Sequence, residues 1–269
     1  MDRREFLTIL SGAIAATAAS DALAAAQHGH GQAAVHPASA LGQMRKVYTY
    51  FTHDEAAFVE AAVSRLIPAD DLGPGALEAE VPYFIDQQLS GSYGEGARYY
   101  NQGPYGDDTG YQGYQLALNP RQLYRAAIAA ADDYCVAKYG KVFAALDGVT
   151  QDAVLQGLQG VSEDVTLADV PGATFFGHLL ADAKDGFFAD PAYGGNKGKV
   201  GWKLVGFPGV AASYKDLIGK NEPYDVEPVD IGDVKEARVP VDEHGHPVHR
   251  RADAGSIPRA TPAGRPSGG

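Results

Sequence analysis

Cysteine is almost absent from this chain: Cys135 is the single one among 269 residues. One thiol permits no intrachain disulfide, no CxxC zinc site, no all-cysteine iron–sulfur cluster and no CxxCH attachment of haem. Cys135 falls on an apolar helical stripe, the setting of a buried structural thiol rather than a reactive one. Positive charge is also scarce. Lys and Arg number 22 against 34 Asp and Glu, for a net charge of -12. Such a chain repels phosphate backbones and anionic lipid, so nucleic acid is not an expected partner. No apolar run reaches the ~20 residues needed to cross a bilayer as a helix. No long alternation of β-branched residues marks a strand. The common catalytic signatures are missing too: no GxxxxGK[ST], no GxGxxG after a strand, no GxSxG and no HExxH.

What the chain does have begins at its N-terminus, "MDRREFLTILSGAIAATAASDALAAAQ". A paired Arg3 and Arg4 precede Phe6 and Leu7, a weakly apolar segment follows, and A-x-A triplets stand at Ala22–Ala24 and Ala24–Ala26. This reads as a twin-arginine export signal over residues 1–26. That route delivers folded proteins to the periplasm. It implies a cofactor held either by this chain or by a partner travelling with it. Residues 27–47 form a small, polar leader dotted with His28, His30 and His36. The His28/His30 pair is either a metal pair or solvated, and the lack of further spaced ligands favours the latter.

Residues 48–218 read as a single, mostly α domain. Thr52 and Glu55 form a capping box before Phe58, Val59, Ala62, Val63 and Leu66, and Pro68 stops that helix. A turn at Gly73-Pro74-Gly75 leads to a second helix through Tyr83, Phe84 and Leu89. Asn119 caps a third, with Pro120 first, and its apolar stripe (Tyr124, Ile128, Ala131, Cys135, Val142, Leu146) predicts a helix continuing to Leu146. Thr150 is expected to cap a fourth. Phe175/Leu179 and Phe176/Leu180 mark a fifth, with Gly186 as its C-terminal cap. Residues 91–120 are a long Gly- and Tyr-rich loop, suited either to a protein interface or to packing on the helices. From 219 to 269 the composition shifts to proline and few large apolar residues. An extended or disordered tail is expected there, laid along a partner, with His244, His246 and His249 as either a metal cluster or solvated side chains.

Two places invite a chemical reading. His178, with Asp182 one turn on, is either a general base or a structural histidine, and the want of an accompanying nucleophile favours the latter. "DPAYGGNKGKVGWKLVGFPG", residues 190–209, holds six glycines, two prolines and the only tryptophan. Its glycine offsets are wrong for a phosphate loop and no strand precedes it. It reads as an ordered turn system, with Asp190 making a turn and Tyr193, Trp202 and Phe207 as apolar anchors. Trp202 is expected to face the chain's own core. Autonomous catalysis through His178, or sugar binding by the Tyr/Gly loops, stands as the alternative to a non-catalytic role.

In order along residues 50–210, "LIPADDLGPGALEAEVPYFIDQQL", "GYQLALNPRQLYRAAI", "YGKVFAAL" and "DGFFADPAYGGNKGKVGWKLVGFPG" resemble the small subunit 3 of gluconate 2-dehydrogenase-type enzymes. The most specific positions are Asp190, Pro191, Tyr193, Gly194, Gly195, Asn196, Gly201, Trp202, Gly206, Phe207, Pro208 and Gly209. The resemblance implies a non-catalytic chain with no cofactor or metal of its own. It implies an FAD-dependent large subunit that oxidises a sugar, sugar acid or polyol, and in many such enzymes a multihaem cytochrome c as third subunit. It further implies passage of the complex through the twin-arginine translocon to the periplasmic face of the membrane.

Overall fold

The computed structural model describes residues 47–99, 103–105, 116–160, 165, 167, 170–210, 219–220 and 224–250. The expected export signal (Arg3, Arg4, Phe6, Leu7), the leader histidines and Tyr100, Tyr111 and Tyr114 of the long loop lie outside these residues. The described chain is mostly helical, with isolated β-bridges and no strand. Seven helices follow in order: α1 (His53–Leu66), α2 (Val81–Ser90), α3 (Pro120–Tyr139), α4 (Gly148–Gln159), α5 (Gly172–Phe188), α6 (Val200–Val205) and α7 (Ile231–Lys235). Helix α5 is central and packs on α1, α2, α3, α4 and α6. Its Phe175 meets Phe58 of α1 and, edge-on, Tyr124 of α3, at ring separations of 6.2 and 5.4 Å. The fully buried Phe143 completes this cluster, 4.6 Å from Phe58.

The expected starts hold. The Thr52–Glu55 capping box closes both of its hydrogen bonds, and Asn119 caps α3 ahead of Pro120. Three expected boundaries differ, each for a local reason. Helix α3 stops at Tyr139 because Gly140 takes the left-handed conformation, φ 74°, and caps it. The chain then folds back, with the Phe143 N–H donating to Asp132 at 2.8 Å, so Phe143 enters the core while Val142 is exposed. Helix α4 is capped by Asp147, which accepts from the Thr150 N–H, and not by Thr150 itself. Gly186 does not end α5. It lies inside the helix, where a Cβ would sit 2.8 Å from the Phe84 ring of α2.

The chain enters α1 through residues 49–51, which are held by one buried side chain. Asp86 of α2 accepts the backbone N–H groups of Thr49, Tyr50 and Phe51 at 2.8, 2.9 and 2.9 Å. Asp86 is fully buried, so these donors are what make its burial tolerable. Beside it, Arg125 of α3 pairs with Glu55 at 2.8 Å and stacks its guanidinium 4.7 Å from the Tyr50 ring. Part of the proline-rich C-terminal segment is ordered against the chain itself. Val229 pairs in parallel with Gly209, and α7 follows at once. Asp86→Ala is expected to lower the free energy of unfolding by roughly 3 kcal/mol, because three donors lose a charged acceptor. Asp86→Asn, which keeps the Oδ1 acceptor of two of them, should lose less, as read from urea-denaturation midpoints.

Candidate functional site

A helix leaves its last carbonyls without intrahelical partners. At the end of α5 those carbonyls are met by the glycine-rich stretch that follows. The Trp202 indole Nε1–H donates to the Phe188 carbonyl at 2.7 Å. The Asn196 amide donates to the Ala189 carbonyl at 2.8 Å and accepts the Gly201 N–H at 2.8 Å. Asn196 is fully buried and Trp202 is 5% exposed. Two glycines make the approach feasible. A Cβ on Gly195 would lie 2.2 Å from the Gly186 carbonyl oxygen, and one on Gly201 would lie 2.0 Å from that of Phe187. Residues 190–209 thus form a side-chain cap folded over the end of the central helix.

The remaining signature residues have equally structural places. Asp190 makes the expected turn, accepting the Ala192 N–H at 2.9 Å, and also accepts the Ile231 N–H at 3.0 Å. Pro191 and Tyr193 form one 3₁₀ turn closed by Gly194. Gly206 ends α6. Phe207 meets Trp202 edge-on at 5.3 Å. The Pro208 carbonyl accepts the Val229 N–H, and Gly209 pairs with Val229. Three of the backbone donors that a phosphate would need are already used. The N–H groups of Gly194, Lys197 and Lys199 go to the carbonyls of Pro191, Ala79 and Asn196. The stretch does not fit a phosphate cradle.

The two faces of this cap differ. On one, the C-terminal segment lies like a strap. Lys199 reaches the Pro228 carbonyl and forms ion pairs with Asp230 and Asp233, whose charges hold its pKa above the ordinary lysine value against the effect of burial. Residues 227–233 of the tail expected to be extended or disordered along a partner are therefore seated on the chain itself. On the other face a cleft of about 940 Å³ opens between the cap, the N-terminal half of α1 and the turn before α2. Pro191, Gly194 and Gly195 line it, whereas Trp202 and Phe207 do not. Its other walls (Val47, Phe51, Ala57, Leu77, Tyr83) come from segments far apart in the sequence. Sequence reading gave no sign of them, since an isolated Leu77 or Ala57 carries no pattern.

His178 and Asp182 do come together, but within a buried polar cluster. Asp182 accepts the Tyr93 hydroxyl at 2.9 Å and the Tyr124 hydroxyl at 2.6 Å, and Tyr93 also lies 3.2 Å from His178 Nδ1. Burial lifts the Asp182 pKa to about 6 even though both tyrosines lower it. Burial also depresses the His178 pKa and raises those of Tyr93 and Tyr124. Among the described residues, no serine or cysteine is hydrogen-bonded into this cluster. Its geometry fastens the start of the Tyr-rich loop, through Tyr93, to α5 and α3. Cys135 is fully buried, and its thiol is pushed up to about 11 by burial, which leaves it unreactive. His244 and His246 flank a turn made by Asp242, which accepts both of their backbone N–H groups. Among the described residues, no group of three or more His, Cys, Asp or Glu side chains is placed to hold a metal ion.

Two outcomes are expected from this geometry. Asn196→Ala removes both a buried donor and a buried acceptor and should cost roughly 3 kcal/mol in chemical denaturation, with Gly201→Ala failing to accumulate as folded protein. Asp182 has a folded-state pKa above its unfolded value, so it binds its proton more tightly when folded. Its stabilising contribution is complete below about pH 4 and is lost as pH rises through about 6, a span worth roughly 3 kcal/mol. Unfolding measured from pH 4 to 7 should therefore show a smaller loss of stability with rising pH in Asp182→Asn than in the unaltered chain.

The helical core, the cleft and the cap can be compared with known proteins as one unit. Residues 53–209 match the family model described as gluconate 2-dehydrogenase subunit 3. The match begins with α1 and closes at Gly209, so it takes in the whole cap and leaves out the strap. Neither the curated proteins nor the solved structures yield a match to the chain. Covering more than half of the sequence and all of the helices α1 to α6, the match establishes that the chain belongs to the gluconate 2-dehydrogenase subunit 3 family.

Proposed function

We propose that this chain is the non-catalytic small subunit of a periplasmic, flavin-dependent dehydrogenase of gluconate or a related sugar, sugar acid or polyol. In this reading it carries the twin-arginine signal for the complex and supports maturation and stability of the FAD-bearing large subunit. A multihaem cytochrome c would serve as third subunit and take up the electrons. One observation carries the reading. The most motif-dense stretch of the chain, residues 190–209, directs its buried Asn196 and Trp202 to the end of its own central helix, and Lys197, its one charged side chain at the cleft, is held in an ion pair with Glu80. The His178 cluster supports the same view, because its members are tied to one another and to the loop they anchor.

The escort role follows from the Arg3-Arg4-Glu5-Phe6-Leu7 sequence combined with a family whose description is that of a subunit. A folded partner can cross with the signal-bearing chain only if the two are already bound, so binding in the cytoplasm is part of the function. Lysine preserves charge but not the guanidinium geometry that arginine presents to a receptor. With Arg3→Lys and Arg4→Lys together, both this chain and its proposed flavoprotein partner should remain in the cytoplasmic fraction. Immunoblots of periplasmic and cytoplasmic fractions read the result. Unchanged arrival of the flavoprotein in the periplasm would end the escort reading, and FAD bound to the purified small subunit would end the non-catalytic one.

A further inference from the structure

The cap at residues 190–209 has one face closed by the chain's own strap and one face open. The closed face holds the ion pairs of Lys199 with Asp230 and Asp233 and the pairing of Gly209 with Val229. A partner that reads this region therefore meets the open face and its 940 Å³ cleft. The walls of that cleft are mainly apolar. Val47 is 82% exposed and Leu77 44%, and Tyr193, beside the lining residues Pro191 and Gly194, is 58% exposed. Exposed apolar side chains gathered around one concavity mark an interaction site more than a scattered few do.

Charge narrows what the cleft can take. Its ionisable lining is Glu60, Glu80, His53 and Lys197. Lys197 is paired with Glu80 at 2.6 Å. Glu60 is exposed, accepts the Tyr48 hydroxyl at 2.6 Å, and has no ion-pair partner among the described residues. The carboxylate side of the cleft is thus left in excess. Small-molecule sites combine apolar walls with buried polar groups that converge on the ligand. Here the Thr52 hydroxyl caps α1, the Tyr48 hydroxyl donates to Glu60, and Glu80 is in its ion pair. Such a lining suits a bulky apolar side chain from a protein surface, with a cation beside it.

Resting on the accessory-subunit reading, we propose that this cleft is the seat for the flavoprotein subunit, and that the inserted segment presents an apolar or aromatic anchor flanked by a lysine or arginine that pairs with Glu60. An anchor seated in such a concavity dominates binding, while the flanking charge sets approach and register. The strap completes the design. By holding Lys199 through Pro228, Asp230 and Asp233, and Asp190 through the Ile231 N–H, it braces the cap from the far face.

The test uses the full chain co-expressed with the proposed flavoprotein subunit, and reads both co-purification and the affinity of the two purified proteins. Ala57→Trp fills the cleft from α1, and Glu60→Lys reverses the unpaired charge. Val149→Lys, at an exposed site on α4 away from the cleft, is the control. Circular dichroism and melting temperature establish that each variant is folded. The expected result is at least about tenfold weaker binding for both cleft variants, with the control unchanged. For Glu60→Lys, the loss should shrink as salt is raised. Wild-type affinity in folded Ala57→Trp and Glu60→Lys overturns the seat and leaves the accessory role intact. Failure of the unaltered chain to bind the flavoprotein overturns the accessory role itself. A dimer of the unaltered chain that Ala57→Trp converts to a monomer, with flavoprotein binding intact, assigns the cleft to a second copy and overturns the proposal.

Discussion

The capping of α5 by Asn196 and Trp202 is the interaction on which the rest of the site depends. Helix α5 touches α1 to α4 and α6, so its C-terminus fixes where everything after residue 189 can go. A helix end buried without partners for its carbonyls would be strongly unfavourable. This chain resolves the problem with side-chain donors carried a few residues downstream. Asn196 is well suited to it, because one amide supplies both a donor for Ala189 and an acceptor for Gly201. The geometry closes only because the backbone at positions 195 and 201 carries no Cβ. The density of glycine in this stretch thus reflects close approach to a helix, where a first glance at the sequence suggests a nucleotide loop.

Two buried carboxylates do similar work elsewhere. Asp86 gathers three successive N–H groups at the entry to α1, and Asp182 gathers two tyrosine hydroxyls where the long loop leaves α2. In each case a buried carboxylate takes donors from a segment without regular structure, residues 49–51 for Asp86 and Tyr93 for Asp182, with Tyr124 of α3 as a second donor to Asp182. Loops have no ladder of backbone bonds to hold them, so a fixed acceptor in the helical core takes that part. Burial of Asp182 outweighs what its two hydroxyl donors offset, which is why its pKa rises. The same network accounts for His178, which is placed by Tyr93 and serves the anchoring of the loop.

Functionally, the chain looks outward from a rigid cap. One face of that cap is occupied by residues 227–233, which lie beyond the family-matched span, and the other face forms one wall of the open cleft. A small subunit that stabilises a larger one needs a surface that is already formed before they meet, since ordering it on contact would reduce the affinity gained. In the role proposed for the chain, the cap offers such a surface, with Asn196 and Trp202 bonded to the end of α5 and apolar and carboxylate groups left at the cleft.

Local features were readable where the physics is local. The Thr52 and Asn119 caps, the apolar stripes of α1, α3 and α5, the buried Cys135 and the inward Trp202 all follow from spacing and residue type. Boundaries failed where a single residue had two uses. Gly140 ended α3 although the stripe ran on, and Gly186 stayed inside α5 because Phe84 lies against it. Asp86 could have been noticed, since it shares a helical face with Pro82 and Leu89, where a carboxylate needs internal donors. By itself the sequence determined the helical class and the family, because each depends on residues near one another in the chain. Only the tertiary structure decided that residues 190–209 cap a helix, that the strap closes one face, and that Val47, Leu77 and Gly194 share a cleft. Those relations join segments up to about 150 residues apart, and no periodicity in the chain encodes which surfaces the packing of α5 will bring together.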